Sequence, residues 1–284
     1  MTITITKATG EKEPFEKNKL LRSLTRAGAT DILAEKIASE ISKGLRTGMS
    51  TRHIYKKAHD ALRKASRPTA GRYHLKNGIM ELGPSGFPFE LYVSEILKQN
   101  NFEVQVGKIV EGRCVNHEVD VIAQKDNRHF MIECKYHNSP GMVCDVKIPL
   151  YIQARFQDVE ARWKLIPGHA EKFHQGWVVT NTRFTADAIK YGTCSGLNLV
   201  SLDYPQGESL RDMIEETGLY PLTCLTTLTQ QEKKSLLEKK IVLCRDICRN
   251  PTYLRQINLL ASRIKEVLEE GHQLCHKLMQ HDQH

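Results

Sequence analysis

The chain has 284 residues, 40% of them hydrophobic, and a formal net charge of +8. That length allows two or three domains with packed cores, and no apolar run is long enough to read as a membrane span. The start, Met1 to Gly10, lacks the charged-then-apolar layout of a secretory leader, so a cytoplasmic protein is expected, with its eight cysteines kept as thiols.

The charge is unevenly placed. Residues 1–83 hold 17 Lys and Arg against 8 Asp and Glu, a net of +9, and the remainder holds 24 against 25, a net of −1. A basic N-terminal module is therefore expected, with a preference for polyanions such as nucleotides or nucleic acid.

In chain order, residues 1–9 alternate as a strand around Ile3 and Ile5, and a turn from Gly10 to Pro14 leads to a second short strand ending at Phe15. Helices are predicted over about 16–27, with Leu20, Leu21 and Leu24 on one face, and over about 34–45. Ser50 or Thr51 can cap a third helix through Arg63, and about 70–82 reads as a fourth after Pro68. The run Ile5-Thr6-Lys7-x-x-Gly10 through Phe15-x-x-x-Lys19-Leu20, then Gly48-x-x-Thr51 with Ile54-Tyr55, resembles the ATP-cone domain, the nucleotide-sensing module of ribonucleotide reductases and a related repressor. The resemblance implies ATP or dATP as an effector in a pocket lined by Lys7, Glu13, Glu16, Lys19 and Thr51. The family's usual Lys-Arg-Asp-Gly is Lys7-Ala8-Thr9-Gly10 here, which removes one phosphate contact. Thr9 and Gly10 do not make a P-loop, so hydrolysis by this module is not expected.

Gly83-Pro84-Ser85-Gly86-Phe87-Pro88 forms a turn-rich joint. Beyond it the pattern reads helix (about 88–100), strand (102–110), a hairpin (115–136), helix (about 145–164), strand (176–180), helix (183–193) and strand (197–202). Such alternation implies a mixed sheet with helices on its faces. In the hairpin, VNHEVDVIAQ and HFMIECKY flank KDNR, and Asp126 and Asn127 tolerate turn geometry. With those two as the loop, Lys125 faces Arg128, Asp120 faces Glu133, and Glu133 and Lys135 share a face. Two adjacent carboxylates repel unless a cation joins them, and Mg²⁺ is the usual dication for two carboxylates, water and phosphate oxygens.

At Glu118-Val119-Asp120 and Glu133-Cys134-Lys135 the sequence resembles the PD-(D/E)xK nuclease superfamily, in its Mrr-like restriction-endonuclease branch. The resemblance extends to Phe89-Glu90-Leu91 and to Gly176-Trp177-Val178-Val179-Thr180-Asn181 with Arg183-Phe184-Thr185, covering about 84–205. It implies a Mg²⁺-dependent endonuclease acting on double-stranded DNA. Asp120, Glu133 and the Cys134 carbonyl would hold metal, Lys135 would assist water or offset phosphate charge, and Glu90 and Gln153 would support the site. A double-strand cut implies a dimer or higher homo-oligomer. The alternatives are a nucleotide-responsive DNA-binding regulator without cleavage, and a repair or recombination nuclease for branched DNA.

From Leu222 the chain reads as a small all-helical module, with helices at about 230–239, 241–249, 252–258 and 261–279 and a Thr229-x-x-Glu232 capping box. Around Asn250-Pro251 it resembles helix-hairpin-helix DNA-binding modules without their glycine-containing hairpin. The expected architecture is multidomain: a mostly α ATP-cone (1–83), an α/β restriction-endonuclease-like core with a mixed central sheet (84–205) and an all-α C-terminal module (222–284).

Overall fold

The computed structural model describes residues 3–167 and 173–276. At the N-terminus, β1 (Thr4–Thr6) and β2 (Lys12–Pro14) form an antiparallel hairpin with Ile5 opposite Glu13. Its turn needs Gly10, whose φ of +84° is open to glycine and strained for other residues. The four helices expected here become five: α1 (Lys17–Arg26), α2 (Asp31–Lys43), α3 (Thr51–Ala65) and the two short helices α4 (Arg67–Tyr73) and α5 (Leu75–Met80). Ser50 caps α3 by accepting from His53 N.

The break expected at Pro68 falls at Ser66, between α3 and α4, and Pro68 itself is helical. It lies in the first turn of α4, where its missing N–H costs nothing, and Ser66 caps that helix. The expected single helix over 70–82 is therefore two helices meeting at His74.

The central elements are α6 (Phe87–Gln99), β3 (Glu103–Glu111), β4 (Asn116–Lys125), β5 (Arg128–Lys135), α7 (Lys147–Trp163), β6 (Phe173–Thr180), α8 (Ala186–Cys194), β7 (Asn198–Val200) and α9 (Leu210–Thr217). Helix α9 goes beyond the elements read from the sequence. A Ser209–Asp212 capping box starts it and Gly218 at φ +69° ends it. The sheet has the order β3-β4-β5-β6-β7. The first three strands are antiparallel and β5-β6-β7 are parallel, so the sheet is mixed, as the alternation implied. Val119, Met131, Phe156, Val159 and Trp163 form one core layer between sheet and α7, and Ile152, Val178, Phe184, Ala188 and Leu199 form another under α7 and α8.

The last elements are α10 (Gln230–Glu238), α11 (Cys244–Arg249), α12 (Thr252–Arg255) and α13 (Ala261–Leu274). The Thr229–Glu232 capping box forms as expected. The helix expected from 241 starts at Cys244 instead, because Val242 O accepts from Leu222 N and Leu243 bridges Pro221, which holds 241–243 extended. The end of the helix expected over 261–279 lies outside the described residues.

The chain divides into two compact units, Met80–Leu219 and a discontinuous one made of Met1–Ile79 with Tyr220–His284. The basic N-terminal helices and the C-terminal helices thus form one body, and the nuclease-like core is inserted between them in sequence. The N- and C-terminal parts touch through backbone made accessible by glycine. Thr223 Oγ1 donates to Gly78 O at 2.5 Å, Arg72 donates to Gln273 O at 3.1 Å, and a Cβ on Gly78 would stand 2.7 Å from Cys224 Sγ. Glu270, 3% exposed, accepts from the backbone N–H and hydroxyl of both Thr226 and Thr227.

Candidate active site and nucleotide site

Turn chemistry sets the register of the β4–β5 hairpin. Asp126 and Asn127 take φ of +49° and +59°, the left-handed pair that two-residue hairpin turns favour. Lys125 then pairs with Arg128, and the ladder runs to Val121 opposite Ile132. One step farther on, the regular ladder stops at Asp120 and Glu133. Here the Cys134 backbone N–H donates to Asp120 Oδ2 at 2.7 Å, which locks the Asp120 carboxylate against the strand that carries Glu133.

Alternation puts Glu133 and Lys135 on the same face, and Lys135 Nζ donates to Glu133 Oε1 at 2.9 Å. The other carboxylate oxygen is taken from α7: Arg155 Nη1 donates to Glu133 Oε2 at 2.6 Å. The same guanidinium donates to Glu118 O and lies 5.4 Å from the centre of the Tyr151 ring. Glu133 is 5% exposed, so this carboxylate is buried with a cation on each oxygen.

Glu90 stands in the first turn of α6. Burial, then the charges of Asp120, Glu133 and Glu118, push its carboxyl up to about 7. Burial and the neighbouring Glu133 likewise raise Asp120 to about 6, against the pull of the Cys134 N–H, Lys135 and Arg155. Burial by itself would lower Lys135, but the Glu133 hydrogen bond and the surrounding carboxylates raise it overall, so its ammonium stays charged. The site is therefore a pocket of excess negative charge at neutral pH, with carboxylates that resist full ionisation.

The parallel neighbour strand forms the wall behind it. Thr180 Oγ1 donates to Lys135 O at 2.7 Å. The Asn181 amide pairs with the backbone of His137 in both directions, accepting from His137 N at 2.8 Å and donating to His137 O at 2.7 Å. The Gly176–Asn181 stretch thereby pins the end of β5 that carries Lys135. Gln153, on α7, has its Oε1 buried with no hydrogen-bond partner. The Cys134 thiol is buried, and burial pushes it well above the usual thiol range.

The donors on offer are hard oxygens, which suit Mg²⁺ or Mn²⁺. Among the described residues, no three His, Cys, Asp or Glu side chains form a ready-made metal cage. Arg155 is a residue of this cluster that the motifs in the sequence do not single out. The available signal was an arginine between the core positions Ile152 and Phe156.

In the other unit, Lys7 Nζ lies 2.9 Å from Glu13 and 3.2 Å from Glu11, and Lys19 Nζ lies 2.8 Å from Glu16 and 3.9 Å from Glu13. Four of the five residues expected to line the nucleotide pocket thus share one charged network. Thr51 begins α3 directly after Ser50, which bridges to Thr6 on β1, so it adjoins the same hairpin. The ion pair with Glu13 is the first cause holding Lys7 above its ordinary range.

Three family models match the chain: the ATP cone domain over residues 3–75, the Mrr-type restriction endonuclease domain over 83–206, and the AF1548-like C-terminal domain over 220–275. An uncharacterised protein of Archaeoglobus fulgidus is 36% identical over 180 residues, 63% of this chain and 97% of its own length. A crystal structure described as AF1548, a protein of unknown function, aligns at 35% identity and TM-score 0.55, covering 68% of this chain and 99% of its own. MspJI restriction endonuclease, solved with a 27-mer oligonucleotide, aligns at 13% identity and TM-score 0.30 over 70% of this chain and 41% of its own, too slight a likeness to argue from. Among the described residues, no helix is long and apolar enough to cross a membrane. The chain belongs to the family of the Archaeoglobus protein, and it joins an ATP-cone domain and an Mrr-like restriction-endonuclease domain to an AF1548-like C-terminal domain.

Proposed function

We propose that this protein is a Mg²⁺-dependent DNA endonuclease of restriction type whose cutting responds to an adenine nucleotide, ATP or dATP, in the cone. The observation that carries the reading is the convergence of Asp120, Glu133 and Lys135 at the end of one hairpin, with Asp120 raised by its neighbour. Asp120, Glu133 and the Cys134 carbonyl are the groups that would hold Mg²⁺, which when bound supplies Lewis-acid stabilisation of phosphodiester charge. Lys135 keeps its proton beside Glu133, and its ammonium orients an attacking water or offsets charge on the phosphate. Glu90 bears on the site from α6, and Gln153 of α7, whose buried Oε1 has no hydrogen-bond partner, would support it.

At the cone, Lys7 and Lys19 would exchange their carboxylate partners for nucleotide phosphates. Glu13, Glu16 and Thr51 would complete that pocket. The enzyme would act in the cytoplasm as a homodimer or larger assembly, since cutting both strands takes two such sites.

The test is cleavage of plasmid DNA by the intact protein with Mg²⁺, wild type against Asp120→Ala, with and without ATP and dATP. Metal-dependent nicking lost in the variant is the expected result. Intact DNA binding without cleavage of methylated, unmethylated or branched substrates would instead make the protein a nucleotide-responsive regulator. A preference for branched DNA would make it a repair nuclease. Lys7→Ala should abolish any nucleotide effect while leaving basal cleavage in place.

A further inference from the structure

We propose that Arg155 acts as a built-in stand-in for the divalent cation: it holds Glu133 in its ligating position, and it yields Glu133 Oε2 when the cation binds. This rests on the reading of Asp120 and Glu133 as cation ligands. The geometry is specific. Glu133 is almost fully buried, and a buried carboxylate without a partner is costly. Lys135 satisfies only Oε1; Arg155 satisfies Oε2.

Arg155 is itself held in place for this role. Its second Nη donates to Glu118 O on β4, its plane lies over the exposed ring of Tyr151, and Ile152 and Phe156 of α7 are buried on either side in sequence. It therefore links α7 to β4 through the Glu118 carbonyl and to β5 through the Glu133 carboxylate, which is shared with the proposed metal site. A dication on Asp120 and Glu133 would be repelled by a guanidinium on the same carboxylate, so the two compete for Oε2.

Competition solves a folding problem. The protein must hold Glu133 buried before any cation arrives, and Arg155 provides that without a fixed metal. Once displaced, a guanidinium beside the reacting site is suited to grip a phosphate in the two-pronged manner that arginine favours. Arg155 is thus a positioning residue for Glu133 in the cation-free enzyme and a phosphate contact in the loaded one.

The experiment is Mn²⁺ binding to the intact protein without DNA, followed by electron paramagnetic resonance, for wild type, Arg155→Met and Asp120→Asn. Met keeps an apolar stem and removes the charge. The expected result is about tenfold tighter Mn²⁺ binding in Arg155→Met than in wild type, no binding in Asp120→Asn, and slower plasmid cleavage in Arg155→Met. Unchanged or weaker Mn²⁺ binding in Arg155→Met, with wild-type binding lost in Asp120→Asn, would overturn the role of Arg155 and leave the metal reading standing. Wild-type binding that Asp120→Asn does not affect would sink the metal reading and this inference together. A second measurement does not depend on the folding of Arg155→Met. In wild type labelled with ¹⁵N-arginine, the Arg155 side-chain signal should move on addition of Mg²⁺ and stay fixed in Asp120→Asn; a wild-type signal that does not move at saturating Mg²⁺ would refute displacement.

Discussion

Replacing Asp120 by Asn should make the protein more stable while removing its proposed cation ligand. Burial and Glu133 hold the Asp120 carboxyl at about 6, against an ordinary value of 3.8. The native state therefore binds more protons than the unfolded chain between those two values, and stability falls as pH rises through that window. Above pH 6 the full cost of ionising Asp120 is present. A displacement of about two pH units corresponds to about 3 kcal/mol at most, and partial access to water trims the expectation to about 1–2 kcal/mol.

Asparagine keeps an oxygen that can accept from Cys134 N, so the hydrogen bond at 2.7 Å need not be lost. The gain should appear as a rise in melting temperature of about 3–6 °C at pH 8. Both tryptophans, Trp163 and Trp177, lie in the unit Met80–Leu219, so fluorescence during urea unfolding in EDTA reports on the right body. At pH 4, where the native carboxyl is protonated, the variant and wild type should nearly coincide. An Asn variant less stable at pH 8, or one with an equal gain at pH 4 and pH 8, would refute the argument that Asp120 is held ionised at a cost.

Two further predictions concern the discontinuous unit. Gly78→Ala should cost about 1–3 kcal/mol despite alanine's better helix propensity, because its Cβ would stand 2.7 Å from Cys224 Sγ; hydrogen exchange along α5 and 222–224 should speed up, and unchanged exchange would contradict the contact. Glu270→Gln should lower stability by about 2–3 kcal/mol, since one buried carboxylate accepts four hydrogen bonds from Thr226 and Thr227. Urea unfolding followed by circular dichroism would read it, and a loss under about 0.5 kcal/mol would show that the clasp contributes little.

Much of the candidate site was legible because it is local in sequence. Asp126 and Asn127 dictated the turn, the turn dictated the register, and alternation along two short strands brought Asp120, Glu133 and Lys135 to one end of the hairpin. No distant part of the chain is needed for that chain of reasoning, only the period of a strand and the geometry of a tight turn. The charge excess in residues 1–83 and the hairpin around Gly10 were legible for the same reason.

Tertiary structure decided what depends on partners far apart in sequence. Arg155 lies 22 residues from Glu133, and helical periodicity marks it only as a polar residue beside a core stripe; which carboxylate it meets follows from how α7 packs on the sheet. Pro68 and residues 241–243 were misread because a cap at Ser66 and a bridge from Pro221 outweighed local propensity. The joining of the first 79 residues with the last 65 into one unit had no sequence signal at all. It rests on small residues, Gly71 and Gly78, that let residues 223 and 224 approach so closely that the Thr223 hydroxyl donates to Gly78 O, and such close approach is a property of the packed surfaces and of neither segment alone.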